Sequence, residues 1–312
     1  MRPPSARGAR TFVLLRALSS AAADTAPPHF CSSSDGPLPF KVQSKLQMSP
    51  DSVLLTLGLP EGRRFLGEDV MLPTCLKVAF PNGTTESGEP TVLEKSYSPI
   101  SHPSTKGTVD LLVKGYEPRP GGGVGAYLCG LEVGDSVMAS LKSKRVMHGD
   151  ANVYGRWSNI GLVAGGTGVA PLLQIARIAL QTPPMHPAAK VHLLSINRYE
   201  EDILMRETLE AMSKEYGDRF SVTFVLTKPP DTWSGPTGRG DAALAQAALP
   251  PSTKDGKTMI LVCGTDGFVA HWGGPIGRGP KKPDGSKGPK VQGPLLGVLA
   301  AAGFDESEVF KY

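Results

Sequence analysis

The 312-residue chain has few cysteines, few aromatic residues and no long apolar run, and these shortages exclude several classes of protein. Its four cysteines, at positions 31, 75, 129 and 263, form no C-x-x-C pair, so neither a zinc site nor a disulfide framework is predicted. The six histidines do not cluster at metal-ligand spacing, and we expect no metal site. No segment approaches the ~20 apolar residues that a membrane-spanning helix needs, so we expect no transmembrane span.

Positive charge is not in excess on the main part of the chain. The sequence has 33 basic and 29 acidic side chains. The first 34 residues contain four of the arginines and a single acid, which leaves a net charge of +1 on the remainder. A nucleic-acid-binding protein keeps a basic stripe on its folded part, so this balance argues against nucleic acid as a partner.

The first 34 residues differ in composition from the rest of the chain. They are rich in Ser, Ala and Arg and contain only one acid, which is typical of a mitochondrial transit peptide. A secretory signal is the alternative, but the arginines are spread through the segment and its apolar stretch, Phe12–Leu15, ends at Arg16. We expect a leader over 1–34, a first domain over 35–157 and a second domain over 158–312.

The first domain has the pattern of an antiparallel β-structure. Short apolar or alternating runs, such as Ser52–Leu57 and Thr108–Lys114, are separated by turn residues, including Pro81–Gly83. Many short strands without long helical patterns predict a closed antiparallel β-barrel.

The second domain alternates between strand and helix patterns. Strands are predicted at 160–164, 191–196, 220–226 and 259–263, and helices at 169–180, 201–215, 241–248 and 294–302. This alternation predicts an α/β doubly wound parallel sheet with helices on both faces. Residues 273–293 are interpreted as a mobile spacer, and Phe310 near the C-terminus as a core residue. Ligands of such sheets bind beyond the carboxyl ends of the strands.

A glycine turn follows the first strand of this sheet. Gly165, Gly166 and Gly168 remove side chains from the turn, so a polyanion can approach the backbone N–H groups. Pro171 suits the first turn of the helix that follows, because its missing N–H is not needed there. A plain tight turn has the same local pattern, so the turn alone does not establish a binding site.

Three motifs in order resemble the ferredoxin-reductase-type flavoprotein superfamily. They are Glu94-Lys-Ser-Tyr-Ser-Pro-Ile-Ser101, the Gly-Gly-Thr-Gly turn with Pro171, and the strand Met259–Cys263 followed by Gly264. Within this superfamily the chain is most similar to NADH–cytochrome b5 reductases, over Val42 to Tyr312. The resemblance implies an FAD-binding barrel joined to an NAD(P)H-binding domain, with hydride passing from the nicotinamide to FAD.

The resemblance also implies roles for individual residues on the flavin side. Tyr97 would lie against the isoalloxazine and Ser98 would hydrogen-bond near its N5, with Pro99 next in the motif. Lys95 replaces the family's phosphate-binding arginine and loses its bidentate fork. The family's Gly-Gly-Lys-Met-Ser stretch is replaced by Gly121, Gly122, Gly123, Val124 and Gly125, which leaves phosphate binding to backbone N–H groups. Lys114 and Tyr116 would face the flavin and nicotinamide.

On the coenzyme side, Thr167, Cys263 and Gly264 would flank the nicotinamide. NADH-preferring relatives have an acid after the third strand of the sheet, where this chain has Thr227 followed by Lys228, with Arg198 on the neighbouring strand end. Threonine and basic residues would accept a 2′-phosphate that an acid would repel. We therefore expect NADH as the coenzyme, with weaker discrimination against NADPH.

The resemblance implies cytochrome b5 or a similar haem protein as the electron acceptor. Lys142, Lys144 and Arg145 form a basic run that could dock such an acidic partner, although a solvated charge run has the same appearance. We expect a monomer, with peripheral membrane contact left open. Two alternatives are a ferredoxin- or flavodoxin-type NADP reductase and an interaction module that has lost its flavin.

Overall fold

The computed structural model describes residues 37–59, 75–84, 88, 90–101, 105–116, 123–142, 156–181, 189–281, 283 and 288–312. The predicted leader, Gly121 and Gly122, and the basic residues Lys144 and Arg145 lie outside these ranges, as does the side chain of Lys142. Within the described ranges, no helix is long and apolar enough to cross a membrane.

The first domain is an antiparallel β-barrel, as predicted. Its elements are β1 (Leu38–Ser49), β2 (Ser52–Gly58), β3 (Cys75–Thr84), β4 (Pro90–Tyr97), β5 (Thr108–Lys114), helix α1 (Val124–Gly130) and β6 (Ser136–Lys142). The sheet has the order β4-β3-β6-β1-β2-β5, and every neighbouring pair is antiparallel. The residues after β4 close the barrel, because Pro99 bridges Leu111 of β5 and the Ile100 N–H donates to the Asp110 carbonyl (2.9 Å).

Alternation along the strands fills the barrel interior. Leu55 and Leu57 of β2 are fully buried and lie in register with Leu111 and Val109 of β5, which are also fully buried. Leu128 of α1 packs into the same apolar cluster, so the short helix covers one opening of the barrel. This packing holds α1 against the carboxyl end of β5, beside the motif that contains Tyr97.

The second domain is a five-stranded parallel sheet, which confirms the predicted α/β class. In chain order its elements are β7 (Asn159–Gly165), α2 (Val169–Gln181), β8 (Lys190–Asn197), α3 (Arg206–Tyr216), β9 (Phe220–Leu226), α4 (Ala242–Ala248), β10 (Thr258–Cys263), α5 (Asp266–Gly273), the two-residue hairpin strands β11 (Gly277–Arg278) and β12 (Lys290–Val291), α6 (Gly297–Ala301) and β13 (Val309–Lys311). The strand order in the sheet is β13-β10-β7-β8-β9, with every neighbouring pair parallel.

Helices cover both faces of this sheet. On one face α2 and α3 pack against Leu162, Leu193 and Leu261. On the other face α4, α5 and α6 pack against a second row of strand side chains that includes Val163 and Val262. The first of these clusters also contains Ile100 and Leu112 of the barrel, so the α2 face of the sheet joins the two domains.

Several predicted boundaries were wrong. The helix predicted at 201–215 begins at Arg206, because Met205 adopts a left-handed conformation (φ 61°) that interrupts it. The last helix begins at Gly297 rather than at 294, after Leu296 in extended conformation. The predicted spacer contains α5's last residue and the β11–β12 hairpin. Phe310 is half-buried in an unpredicted strand, β13, while Tyr312 is the buried aromatic.

Candidate active site

A cleft of about 1000 Å³ lies between the barrel and the carboxyl ends of the parallel strands. Most of the residues predicted to bind cofactors line it. From the barrel these are Lys95, Tyr97, Ser98, Lys114, Tyr116, Gly123, Val124 and Gly125. From the sheet they are Gly165, Gly166, Thr167, Gly168, Pro171, Arg198, Thr227, Cys263 and Gly264. Two predicted residues, Pro99 and Lys228, do not line the cleft.

Tyr97 ends β4 and forms part of the barrel wall of the cleft. Its buried hydroxyl has no hydrogen-bond partner among the described residues. Burial, together with nearby Cys129 and Tyr116, raises the pKa of Tyr97 well above its usual value, so the hydroxyl keeps its proton as a donor. The Lys95 ammonium lies 5.6 Å from the centre of the Tyr97 ring and 5.9 Å from that of Tyr116. This wall offers an unsatisfied donor and a positive charge to a ligand.

Lys114 ends β5 and lines the same wall, but its ammonium is paired with a carboxylate. Its Nζ lies 2.7 Å from Asp51 Oδ2. Burial alone would raise the pKa of Asp51, but the hydrogen bond and charge of Lys114, with hydrogen bonds from Ser49 and Ser52, outweigh it and lower that pKa. Lys114 therefore presents its aliphatic stem and a neutralised charge to the cleft. Lys95, by contrast, has no ion-pair partner among the described residues.

Gly125 allows α1 to approach the end of β5 closely. A Cβ at this position would lie 2.5 Å from the Lys114 carbonyl oxygen. Gly123 precedes the helix and has no side chain that could cap it. The first backbone N–H groups of α1 are therefore available to bond water or a ligand. The residues that replace the family's polar phosphate-binding side chains thus leave bare backbone facing the cleft.

The glycine turn after β7 packs tightly against the end of β10. A Cβ on Gly168 would overlap the Cys263 carbonyl oxygen, and a Cβ on Gly165 would lie 2.8 Å from the Phe268 ring. Gly166 has a positive φ (53°), which favours glycine at this position. This packing brings Thr167 and Cys263 to the same part of the cleft, next to the barrel wall.

The ends of β8 and β9 form the other part of the cleft. The Thr227 N–H donates to the Asn197 carbonyl (3.0 Å), and the Lys228 N–H donates to the Arg198 carbonyl (2.9 Å). Arg198 and Lys228 both lie near the Tyr199 ring, at 5.3 Å and 6.0 Å from its centre. Lys228 is therefore beside the cleft rather than on its wall.

Sequence reasoning missed several polar residues that line the cleft. Arg239 comes from the loop after β9, and the flanking glycines of Gly238-Arg239-Gly240 were the signal for it. Tyr312 lines the cleft because it follows strand β13, a strand that no local sequence pattern predicts. The other polar lining residues that were not among the predicted site residues are Ser52, Ser96, Asn197, Asp202, Thr265, Asp266 and Lys290. In the described part of the chain, no group of His, Cys, Asp or Glu side chains could hold a metal ion.

The residues present fit a flavin nucleotide on one side and a pyridine dinucleotide on the other. The barrel half provides the unpartnered Tyr97 hydroxyl, the Lys95 charge and the open backbone at Gly123 and Gly125. The sheet half provides a side-chain-free turn at the start of a helix, at the strand edge where such sheets bind dinucleotides. The two halves share one cleft, so the isoalloxazine ring of a flavin and the nicotinamide ring of the dinucleotide can lie next to each other in it.

The fold and this cleft define a two-domain flavin- and pyridine-nucleotide-dependent oxidoreductase. Residues 39–142 match the oxidoreductase FAD-binding domain family and residues 162–272 match the oxidoreductase NAD-binding domain family. The chain belongs to the NADH–cytochrome b5 reductase family, and it is an oxidoreductase that uses FAD and NADH.

Two curated relatives and one solved structure illustrate this membership. The chain is 32% identical to NADH-cytochrome b5 reductase 1 of Laccaria bicolor, over 74% of this chain and 69% of that protein. It is 33% identical to NADH-cytochrome b5 reductase 1 of Aspergillus terreus, over 74% of each. The cytochrome b5 reductase domain of Ulva prolifera nitrate reductase shares the fold, with a TM-score of 0.68 and 23% identity over 92% of this chain and 100% of that one.

Proposed function

We propose that this protein passes hydride from NADH to FAD and then delivers single electrons to cytochrome b5 or a similar haem protein. The observation that carries the proposal is the single cleft that contains both the Tyr97 wall and the Thr167–Cys263 edge. When bound, FAD accepts a hydride and releases its electrons one at a time. The residues of this chain bind FAD and NADH, hold the flavin and nicotinamide rings in contact and exclude water.

Each wall of the cleft has its own part in this positioning. Tyr97 and Ser98 would hold the flavin on the barrel side of the cleft and donate hydrogen bonds to it. Thr167 and Cys263 bound the space for the nicotinamide, where a small thiol leaves the path between the rings open. No described side chain has to act as an acid or base, because hydride transfer moves no separate proton.

The acceptor is inferred from the relatives, whose names include cytochrome b5. Lys95 and Tyr116 are exposed on the barrel side of the cleft, which leaves this edge open to an acceptor protein. The predicted docking residues Lys144 and Arg145, and the side chain of Lys142, lie outside the described part of the structure, so this docking surface remains a hypothesis.

Reduction of cytochrome b5 by the purified protein and NADH tests this function. We expect cytochrome b5 to be reduced faster than ferredoxin at equal acceptor concentration. The rate of cytochrome b5 reduction should fall as the salt concentration is raised from about 50 to about 300 mM. Faster reduction of ferredoxin would favour a ferredoxin-type NADP reductase. Absence of bound FAD in protein purified with added flavin would favour an interaction module without redox activity.

We also propose that the protein is mitochondrial and monomeric. The support for the first is the leader's composition of Ser, Ala and Arg with one acid. A fusion of residues 1–34 to a fluorescent reporter should enter mitochondria, and variants with Arg2, Arg7, Arg10 and Arg16 replaced by Gln should not. A secreted or diffuse wild-type signal would reject this location, and a dimer mass in light scattering would reject the monomer.

A further inference from the structure

The ammonium group of Lys311 is buried among backbone carbonyls near the C-terminal end of the chain. Lys311 is only 4% exposed, and within the described ranges it has no ion-pair partner. Its Nζ donates instead to four carbonyl oxygens at distances between 2.9 and 3.4 Å, those of Gly273, Pro275, Gly293 and Pro294. An ammonium has three N–H groups, so these four oxygens share them. We call the four carbonyls the carbonyl cage.

Glycines bring together the two chain segments that supply the carbonyl cage. Gly274 and Gly293 have positive φ values, 86° and 64°, which favour glycine at both positions. A Cβ on Gly274 would lie 2.6 Å from the Pro294 carbonyl oxygen, and a Cβ on Gly293 would lie 2.6 Å from that of Pro275. Side chains at either position would therefore push the cage carbonyls away from the Lys311 ammonium.

The backbone of Lys311 is held by the same part of the chain. Its N–H donates to Gln292 Oε1 (2.7 Å), and Gln292 Nε2 donates to the Lys311 carbonyl (3.0 Å). Strand β13 is the last strand of the sheet and pairs only with β10. The Gln292 side chain thus makes the two hydrogen bonds that a further strand would make at the outer edge of β13.

The residue that follows Lys311 lines the cleft. The Tyr312 backbone N–H donates to the Val262 carbonyl (2.9 Å), next to Cys263 at the end of β10. Both Tyr312 and Cys263 line the cleft, and Tyr312 also belongs to the apolar cluster that joins the two domains. Lys290 of β12 lines the cleft as well. The carbonyl cage therefore lies behind the wall of the cleft that contains Cys263.

We propose that Lys311 is a positioning residue for hydride transfer, because its ammonium closes the carbonyl cage and so holds Tyr312 beside the end of β10. The inference rests on the proposed function for the place of the nicotinamide beside Cys263. Without the ammonium, the cage would contain carbonyl oxygens with no donor to bond, and buried unsatisfied groups are costly. The two segments would separate, Tyr312 would move away from Cys263, and the nicotinamide would be held less closely against the flavin.

Lys311→Ala in the FAD-loaded protein empties the carbonyl cage and allows a small cation to replace the lost group. We expect flavin reduction at saturating NADH to slow by about tenfold or more in stopped-flow absorbance, since small misplacements of reacting groups have large effects on rate. The affinity for 5′-ADP, measured by calorimetry, should stay within about twofold, because 5′-ADP lacks the nicotinamide.

Added cations test whether the ammonium itself is what the reaction needs. Propylammonium chloride supplies the missing part of the stem and the N–H donors, so it should restore flavin reduction in Lys311→Ala. Tetramethylammonium chloride at the same concentration has the charge without N–H donors and should not restore it. Neither salt should raise the rate of the wild-type protein.

Alkylation of Cys263 by iodoacetamide reports on the same wall without turnover. Cys263 is half-buried beside the bond between Tyr312 and Val262. We expect Lys311→Ala to speed its alkylation several-fold, because the wall opens more often, and propylammonium to reverse this. Cys129 of the barrel is also half-buried and is the internal control, and its alkylation rate should not change. Peptide mapping by mass spectrometry separates the two cysteines.

Two further variants control for loss of charge and for misfolding. Lys281→Met removes an exposed cation from the connection between β11 and β12 and should behave as the wild type. Gly293→Ala keeps Lys311 but places a Cβ 2.6 Å from the Pro275 carbonyl oxygen of the cage. It should slow flavin reduction as Lys311→Ala does, and propylammonium should not restore the rate. This variant tests the cage even if Lys311→Ala does not fold.

The outcomes separate this inference from the proposed function. Unchanged flavin reduction in Lys311→Ala, or equal restoration by the two cations, would overturn the positioning role. Loss of FAD and of 5′-ADP affinity together with faster alkylation of Cys129 would also overturn it, since the whole fold would then depend on Lys311. Failure of NADH to reduce the wild-type flavin would overturn the proposed function, whereas the Cys263 alkylation rates would still show whether the cage holds this wall.

Discussion

Tyr97 shows how a single residue can be structurally costly and functionally useful. A buried hydroxyl without a partner destabilises a protein by about 1–3 kcal/mol. Here that hydroxyl lines the cleft, beside the Lys95 charge and the open backbone of α1. A ligand that accepts a hydrogen bond from this hydroxyl removes the cost. The gain contributes to the free energy of flavin binding.

Substitutions at Tyr97 and Ser98 should separate flavin binding from flavin reduction. We expect Tyr97→Ala to loosen FAD, because the ring and the donor are both lost. Tyr97→Phe keeps the ring and should weaken FAD binding by only about 0.5–1.5 kcal/mol. Ser98→Ala should mainly slow flavin reduction by NADH. Fluorescence titration gives the FAD affinity and stopped-flow absorbance gives the reduction rate. Equal effects of both alanine variants on both quantities would contradict this division.

Two glycines of α1 provide a matched pair for testing the close approach to β5. Gly125→Ala places a Cβ 2.5 Å from the Lys114 carbonyl oxygen, whereas Gly130→Ala meets no atom within 4 Å. We expect Gly125→Ala to destabilise the barrel by about 1–3 kcal/mol and to speed FAD release. Gly130→Ala should be neutral or stabilising by up to about 1 kcal/mol. Urea unfolding followed by flavin fluorescence measures both, and equal losses would show that α1 does not need this contact.

At the scale of elements, the sequence predicted those whose signal is local. The buried runs of β7 and β10 lie where the pattern placed them, and the helix predicted at 241–248 is α4, which Asp241 caps. The missed elements depend on distant partners. Strand β13 has only three residues, and it pairs with β10. The Lys311 ammonium ties it to a distant segment, because it donates to the Gly293 and Pro294 carbonyls (3.0 and 2.9 Å). No periodicity in a short tail reveals such contacts.

Glu308 anchors the turn before β13 and should make this element sensitive to pH. Its carboxylate accepts hydrogen bonds from Ser252 Oγ (2.6 Å) and from the N–H groups of Thr253, Lys254 and Asp305 (2.9, 2.9 and 3.0 Å). Burial alone would raise the pKa of Glu308, but these bonds outweigh it and lower that pKa. The stability from this group is therefore present above the unfolded-state pKa and is lost as pH falls through the folded-state pKa.

Glu308→Gln should lower the free energy of unfolding at neutral pH by about 1–3 kcal/mol. The difference from wild type should shrink as the pH falls through the lowered folded-state pKa of Glu308, because the wild-type carboxylate then gains a proton. Urea midpoints measured between pH 3 and 7 check this. Glu306→Gln is the control, because Glu306 is an exposed acid in the same turn. A constant difference across this range would show that the charge of Glu308 is not what anchors the turn.

At the scale of the whole molecule, the sequence predicted two domains and their classes but could not predict how they meet. The joining residues are distant in the chain. Arg177 of α2 is buried and donates to the carbonyl of Ile100, in the segment that closes the barrel after Tyr97. This hydrogen bond therefore connects α2, which follows the glycine turn, to the segment that follows Tyr97 in the barrel. A side chain 77 residues from its partner leaves no local signal in the sequence.

Arg177 should therefore act as a positioning residue for hydride transfer. Arg177→Met keeps the apolar stem but removes the bond to Ile100, so we expect the domains to shift relative to each other. Flavin reduction by NADH should slow while the affinity for 5′-ADP stays within about twofold, because no coenzyme contact is lost. Stopped-flow reduction and calorimetry measure the two quantities. Loss of nucleotide affinity with unchanged reduction would show that Arg177 supports the sheet rather than the domain arrangement.

The same variant should have a defined dependence of stability on pH, because Arg177 is close to Asp110. Burial raises the pKa of Asp110, and the Thr56 hydrogen bond (2.7 Å) and the Arg177 charge oppose this rise. Without Arg177 that pKa rises further. A raised folded-state pKa gives stability that is present below the unfolded-state pKa and is lost as pH rises through the folded value. The stability deficit of Arg177→Met should therefore grow as the pH rises above the folded-state pKa of Asp110 in the wild type, and Asp110→Asn in the same chain should remove that growth. Urea unfolding on both sides of this pKa would contradict the pairing if the deficit were constant.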